Sequence, residues 1–79
     1  MSNKEGVQDK MELTWIDGFS IRVTAENGTA LISANKAGLL SLANHLTRLA
    51  EEPSGGHFHL DEYNSLEDGS EELIIEKTA

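Results

Sequence analysis

The residues best suited to chemistry in this sequence are two histidines and an aspartate at alternate positions: His57, His59 and Asp61. Polar and apolar side chains alternate over residues 57–62, which predicts a strand whose alternate residues share a face. Two imidazoles and a carboxylate on one face could bind zinc, and an open coordination position would then permit hydrolysis. Such residues are about 7 Å apart along a strand, so a solvated face is the plainer interpretation.

The acidic segment that follows this strand is the second candidate site. It combines carboxylates with an aromatic and an aliphatic side chain, and carboxylates steer basic partners while an aromatic ring can anchor the contact. The segment therefore predicts a partner-binding surface, with a solvated loop as the alternative. The candidate contact residues are Asp61, Glu62, Tyr63, Glu67 and Asp68, with His57 and His59 beside them.

The distribution of charge along the chain favours a basic protein as the partner. Residues 51–79 contain nine acids and one base, Lys77, whereas acids and bases cancel over residues 1–50, so the formal charge of −8 arises in the last third. Phosphate contacts need clustered Lys and Arg, so we expect neither nucleic-acid nor anionic-membrane binding. A basic protein surface is the natural partner, and solubility is the alternative role of the acids.

Length and composition limit the remaining possibilities. A chain of 79 residues predicts one domain, over residues 11–79, after a disordered polar tail at residues 1–10. The absence of cysteine excludes disulfides, thiolate zinc sites and cysteine nucleophiles. No signal-peptide or membrane-span pattern is visible, so a cytoplasmic protein is expected. No cofactor is expected either.

Turn signals and periodicity predict the element order β-β-β-α-β-β. Strands are predicted over 11–16, 19–25, 29–33, 57–62 and 70–77, with turns at Asp17-Gly18 and Asn27-Gly28 and a helix over 36–52. The fold class is α+β: an antiparallel or mixed sheet of about five strands with one helix packed on one face.

The predicted helix has details of its own. Its N-terminus is predicted to be capped by Asn35 or Ser33, and Gly38 indicates either a close approach between helix and sheet or a helix that begins one turn later. His45 is expected on the solvated face, and Trp15 is expected in the core. The predicted buried stripe consists of Leu39, Leu42, Ala43, Leu46, Leu49 and Ala50.

The chain from Ser33 onward resembles a known family. The residues that carry the resemblance are Gly38-Leu39-Leu40-Ser41-Leu42-Ala43, Leu46-Thr47-Arg48-Leu49-Ala50, His57-Phe58-His59-Leu60-Asp61, Leu66-Glu67-Asp68-Gly69-Ser70 and Glu72-Leu73-Ile74-Ile75-Glu76. They are similar to the immunity protein 32 family of bacterial polymorphic toxin systems. The resemblance implies a small cytoplasmic protein that binds and blocks a cognate toxin, often a nuclease, and it implies no catalytic residues.

The leading hypothesis is therefore an immunity protein, not an enzyme, that neutralises a cognate protein toxin through its acidic C-terminal surface. A metal-binding domain or metal-dependent enzyme built on His57, His59 and Asp61 is the first alternative. A self-associating regulatory module that pairs through an exposed strand edge is the second. The chain is accordingly expected to be a monomer or a homodimer.

Overall fold

The computed structural model describes residues 14–78, which follow the order β-β-α-β-β. Within these residues the strands form two two-stranded antiparallel sheets, β1–β2 and β3–β4. The predicted α+β class is confirmed, but the prediction of one sheet with about five strands is wrong. The elements are β1 (Ile21–Glu26), β2 (Thr29–Ala34), α1 (Lys36–Ala50), β3 (His57–Leu60) and β4 (Leu73–Glu76).

The first hairpin is built around the predicted Asn27-Gly28 turn. Both residues have positive φ, 52° and 79°, which is the conformation that a two-residue hairpin turn requires. The turn sets the register, which pairs Glu26 with Thr29 next to the turn and Ile21 with Ala34 at the far end. The hairpin thus presents the alternate side chains of β1 to the core.

The predicted strand over residues 11–16 is not formed by its described part. Residues 1–13, including the predicted tail, lie outside the described residues. Residues 14–16 are irregular, because side chains of α1 take their backbone groups: Ile16 N–H donates to Ser41 Oγ at 2.9 Å. A turn forms at Asp17-Gly18, but it is not the predicted hairpin turn, because residues 14–16 form no strand. The strand after it begins at Ile21 instead of Phe19.

The helix α1 matches its prediction closely in extent. Asn35 is the N-cap, and its side-chain oxygen accepts a hydrogen bond from Gly38 N–H at 2.8 Å. A Cβ at Gly38 would lie 2.6 Å from the carbonyl oxygen of Ser20 and 2.9 Å from Cγ1 of Ile21, so the predicted close approach is confirmed. This helix is neither long nor apolar enough to cross a membrane.

The buried face of α1 differs from the predicted stripe. Leu39 is 55% exposed, and Leu46 is exposed as well, whereas His45, predicted to be solvated, is fully buried. The predicted stripe is therefore correct only at two of its leucines. Small and polar side chains face the core where the helix contacts the hairpin and the residues before it; the buried helix residues are Gly38, Ser41, Leu42, His45 and Leu49.

One apolar core joins the two sheets and the helix. Trp15 packs against this core, as predicted, with its ring stacked on Phe19 at 4.5 Å and edge-on to His45 at 4.2 Å between centroids. Leu66 brings the β3–β4 connection into the same cluster. The buried apolar residues are Ile21, Val23, Leu42, Leu49, Phe58, Leu60 and Leu66.

Candidate partner-binding site

The acidic loop, defined here as residues 61–72, is fastened along β1. Glu67 N–H donates to the carbonyl of Ile21 at 2.9 Å, and Glu71 N–H donates to the carbonyl of Val23 at 2.8 Å. These bonds use the edge of β1 that faces away from β2, since alternate residues of a paired strand bond outward. The loop, which connects β3 to β4, therefore joins the second sheet to the β1–β2 hairpin, although it forms no regular ladder with β1.

Side chains reinforce this attachment. Val23 N–H donates to Ser70 Oγ at 3.1 Å, and Arg22 Nη1 donates to the carbonyl of Asp68 at 2.9 Å. Ser20 Oγ donates to Glu67 Oε2 at 3.2 Å. Sequence reasoning missed Ser20, Arg22 and Ser70, because contacts between segments more than forty residues apart leave no periodic signal. The loop is thus held from several sides.

Two of the predicted contact residues stabilise the loop from within. Asp61 Oδ1 accepts hydrogen bonds from Tyr63 N–H at 2.9 Å and from Asn64 N–H at 3.1 Å, which is an Asx turn. Glu62 Oε2 accepts from Gly69 N–H at 2.9 Å and closes the loop across its width. Both carboxylates thereby fix the backbone that carries the other candidates.

Tyr63 and Asp68 are presented to solvent by this fixed backbone. The side chain of Tyr63 is 90% exposed although its N–H is held by Asp61. Asp68 is exposed, and its carbonyl, not its carboxylate, binds Arg22. An exposed aromatic ring on a constrained backbone can contact a partner with little loss of conformational entropy.

The histidines of β3 lie beside the loop. His59 Nδ1 is 3.2 Å from Glu72 Oε2, and the two half-exposed side chains form an ion pair when the imidazole is protonated. Ligand atoms of His59, Asp61 and Glu72 lie within 4.8 Å of one another, and His57 is outside this group. His59 and Glu72 are exposed and Asp61 is half-buried, and Asp61 Oδ1 already accepts two amide hydrogen bonds.

The negative charge around the loop has little compensation within residues 14–78. Lys77 Nζ donates to the carbonyls of Ala50 at 2.8 Å and Glu52 at 2.7 Å, so it caps the end of α1. Arg22 binds a backbone carbonyl of the loop. In this part of the chain the ion pair formed is His59–Glu72, so most carboxylates of residues 51–78 are not paired with a cationic side chain of the described residues.

The structure thus describes a small acidic α+β protein with a fixed, exposed loop. A model of the immunity protein 32 family matches residues 29–78, more than half of the chain, so the chain belongs to that family, as its resemblance predicted. Family membership implies a toxin as a binding partner in general. Neither the curated proteins nor the solved structures contain a significant match to this chain.

Proposed function

We propose that this protein neutralises a cognate bacterial toxin by binding a basic surface of the toxin through the acidic loop. The observation that carries the proposal is a loop fixed on β1 that exposes an aromatic ring among carboxylates, most of which form no ion pair within residues 14–78. Family membership supplies the class of partner. The proposal requires no catalytic residue and no cofactor, and it places both proteins in the cytoplasm.

The candidate residues divide into two roles under this proposal. Tyr63 and Asp68 contact the toxin directly, because their side chains are exposed and free of the bonds that fix the loop. Asp61 and Glu62 act through loop geometry. Glu67 has one oxygen bound to Ser20 and contributes charge. His57 and His59 form the rim of the surface on β3.

Charge complementarity supports fast and specific association. Oppositely charged surfaces raise the association rate, and the effect weakens as salt screens the charges. Where the toxin is a nuclease, its basic phosphate-binding cleft is the complementary surface, and an acidic loop that occupies the cleft excludes nucleic acid. The fixed loop avoids an ordering cost on binding.

Calorimetric titration against the toxin domain encoded beside the gene, at low and high salt, tests the proposal. We expect tight binding that weakens at high salt, with Tyr63→Ala reducing affinity by about 10- to 100-fold and Asp68→Asn mainly reducing the dependence of the affinity on salt. Asp17→Asn, which removes an exposed acid outside the loop, is the matched control and should bind as the wild type does.

Two results would contradict the proposal in different ways. Binding that is unchanged in both the Tyr63→Ala and Asp68→Asn variants would show that the toxin contacts another surface. An absence of binding at either salt concentration would show that this toxin is not the partner, and zinc binding by His59, Asp61 and Glu72, followed through the histidine ring signals, would be tested next.

A further inference from the structure

The backbone groups on the outer edge of β2 have no strand partner among the described residues 14–78. Within residues 14–78, β2 is hydrogen-bonded to β1 alone. The two-residue turn sets the alternation, so the N–H and C=O groups of Leu31 and Ser33 face β1, while those of Ala30 and Ile32 face away from it. The outward bonds that Val23, the partner of Ile32, makes to the acidic loop confirm this alternation on β1.

This edge lacks the features that normally prevent strands from pairing. Thr29–Ala34 contains no charged residue and no proline, and five of its six residues are exposed. Leu31 is 56% exposed and Ile32 is 42% exposed. An unpaired, uncharged edge with apolar side chains is a template for the addition of another strand.

One edge strand of the second sheet, β4, offers a contrast. β4 also exposes an apolar residue, Ile74, at 59%, but Glu72 precedes the strand and Glu76 ends it. Charges at these places repel a like strand. β2 contains no charged residue, so pairing between identical chains is disfavoured at β4 relative to β2.

We infer that the free edge of β2 pairs with the same edge of a second copy of this chain. The acidic loop lies along the edge of β1 opposite β2, so this pairing keeps the two acidic loops apart. Like-charge repulsion between two chains of −8 each is therefore smaller than in an approach that brings the acidic loops together. The inference concerns a surface separate from the acidic loop and does not depend on toxin binding.

A two-fold axis at Ile32 gives a self-complementary register. Ile32 then lies beside Ile32 of the second copy in an antiparallel pair, and Ala30 lies beside Ala34. The β1–β2 hairpins of the two copies then form one four-stranded sheet, and the exposed Ile32 side chains cover each other. A small domain with no disulfide gains stability from such association, since its own core buries few residues.

Sedimentation velocity on the full chain, without toxin, at about 1 µM to 1 mM tests the inference by mass action. We expect a dimer to appear with concentration, and Ile32→Lys should weaken it by at least about tenfold, because like charges then meet at the axis. Ile74→Lys makes the same change at a comparably exposed edge position and should leave the dimer intact.

Amide hydrogen exchange in the wild-type chain gives a second measurement that needs no folded variant. The N–H groups of Ala30 and Ile32 should exchange more slowly at high concentration, while that of Leu31, already bonded to β1, should not change. A monomer throughout the range overturns the inference, and so does a dimer that Ile74→Lys disrupts as much as Ile32→Lys. Protection that appears only with toxin assigns the edge to a toxin strand instead.

Discussion

Ser41 and His45 lie one helical turn apart on the buried face of α1, and both bind backbone atoms of the segment before β1. Ser41 Oγ accepts from Ile16 N–H at 2.9 Å, and His45 Nε2–H donates to the carbonyl of Thr14 at 3.2 Å. Both side chains are fully buried. The helix thus supplies the hydrogen-bond partners that a neighbouring strand would otherwise give to residues 14–16.

The buried imidazole makes stability depend on pH. Burial lowers the pKa of His45 below its ordinary value of 6.5, and the bond to the Thr14 carbonyl partly opposes this change. The unfolded chain therefore binds a proton at a higher pH than the folded chain does. We expect the free energy of unfolding to decrease as pH falls below about 6.5, by at most about 1.4 kcal/mol per pH unit from this residue.

Urea denaturation between pH 5 and 8, in about half-unit steps, measures this dependence. The His45→Gln variant should lose the part of the slope that arises below about pH 6.5. The His57→Gln variant removes an exposed histidine and should retain that slope. Equal slopes in wild type and His45→Gln would mean that other groups cause the pH dependence.

The close approach at Gly38 predicts a destabilising substitution that helix propensity alone would call favourable. Ala in place of Gly gains about 1 kcal/mol in a helix interior. At this position the added Cβ meets the carbonyl oxygen of Ser20 at 2.6 Å, and backbone must move. We expect Gly38→Ala to lower the free energy of unfolding by about 1–3 kcal/mol, measured by chemical denaturation.

An exposed position of the same helix provides the control for that substitution. Asn44 is on the solvated face of α1, so Asn44→Ala should raise the free energy of unfolding by about 0.5 kcal/mol, because Ala has the higher helix propensity. A Gly38→Ala variant that is also stabilised would show that the helix and hairpin can separate at little cost.

Substitution of Lys by Met should change stability differently at the two lysines that lie near the ends of α1, Lys36 within the helix and Lys77 beyond it. Lys77→Met removes the ammonium that binds the carbonyls of Ala50 and Glu52, and we expect a loss of about 1 kcal/mol. Lys36→Met removes a positive charge from the first helical residue, where the helix dipole disfavours it, and should be neutral or stabilising by about 0.5 kcal/mol. Thermal denaturation of both variants measures these changes in stability. Losses of stability of equal size in the two variants would show that Lys77 does not act as a cap of α1.

Asp61 provides a test of geometry against charge in the proposed binding surface. Asn can form the same Asx turn as Asp, whereas Ala cannot. We expect Asp61→Asn to keep the stability and most of the toxin affinity, and Asp61→Ala to lower stability by about 1–2 kcal/mol and to weaken binding. Denaturation and toxin titration together measure this, and equal affinity losses in both variants would assign Asp61 a role through its charge.

The local elements of this fold could be predicted from sequence because their signals are local. The Asn27-Gly28 pair sets its hairpin, and Asn35 caps the helix, which begins at the predicted residue, Lys36. The helix face could not be predicted, because Ser41 and His45 are buried to bind the backbone of residues 14–16, and Gly38 is buried by close contact. Hydrophobic periodicity assigns such positions to solvent.

The acidic loop was predicted as a segment but not as a structure. Its charge and the presence of an aromatic ring at Tyr63 are readable from residue types, whereas the exposure of that ring is not. Its attachment to β1 depends on Arg22 and Ser70, whose partners lie 46 and 47 residues away along the chain, and no short-range pattern encodes that pairing. The loop, and not a continuous ladder of hydrogen bonds, joins the β1–β2 sheet to the β3–β4 sheet. The expected single sheet is divided for this reason.

The same long-range attachment bears on when the binding surface can form during synthesis. The hairpin and α1 involve neighbours in sequence, and contacts of this kind form early, whereas pairings over large separations form late. The bonds from the loop to Ile21 and Val23 need residues as late as Glu71. A ribosome-bound chain therefore cannot attach the acidic loop to β1 until residues as late as Glu71 have been made, so this attachment forms after the hairpin and α1.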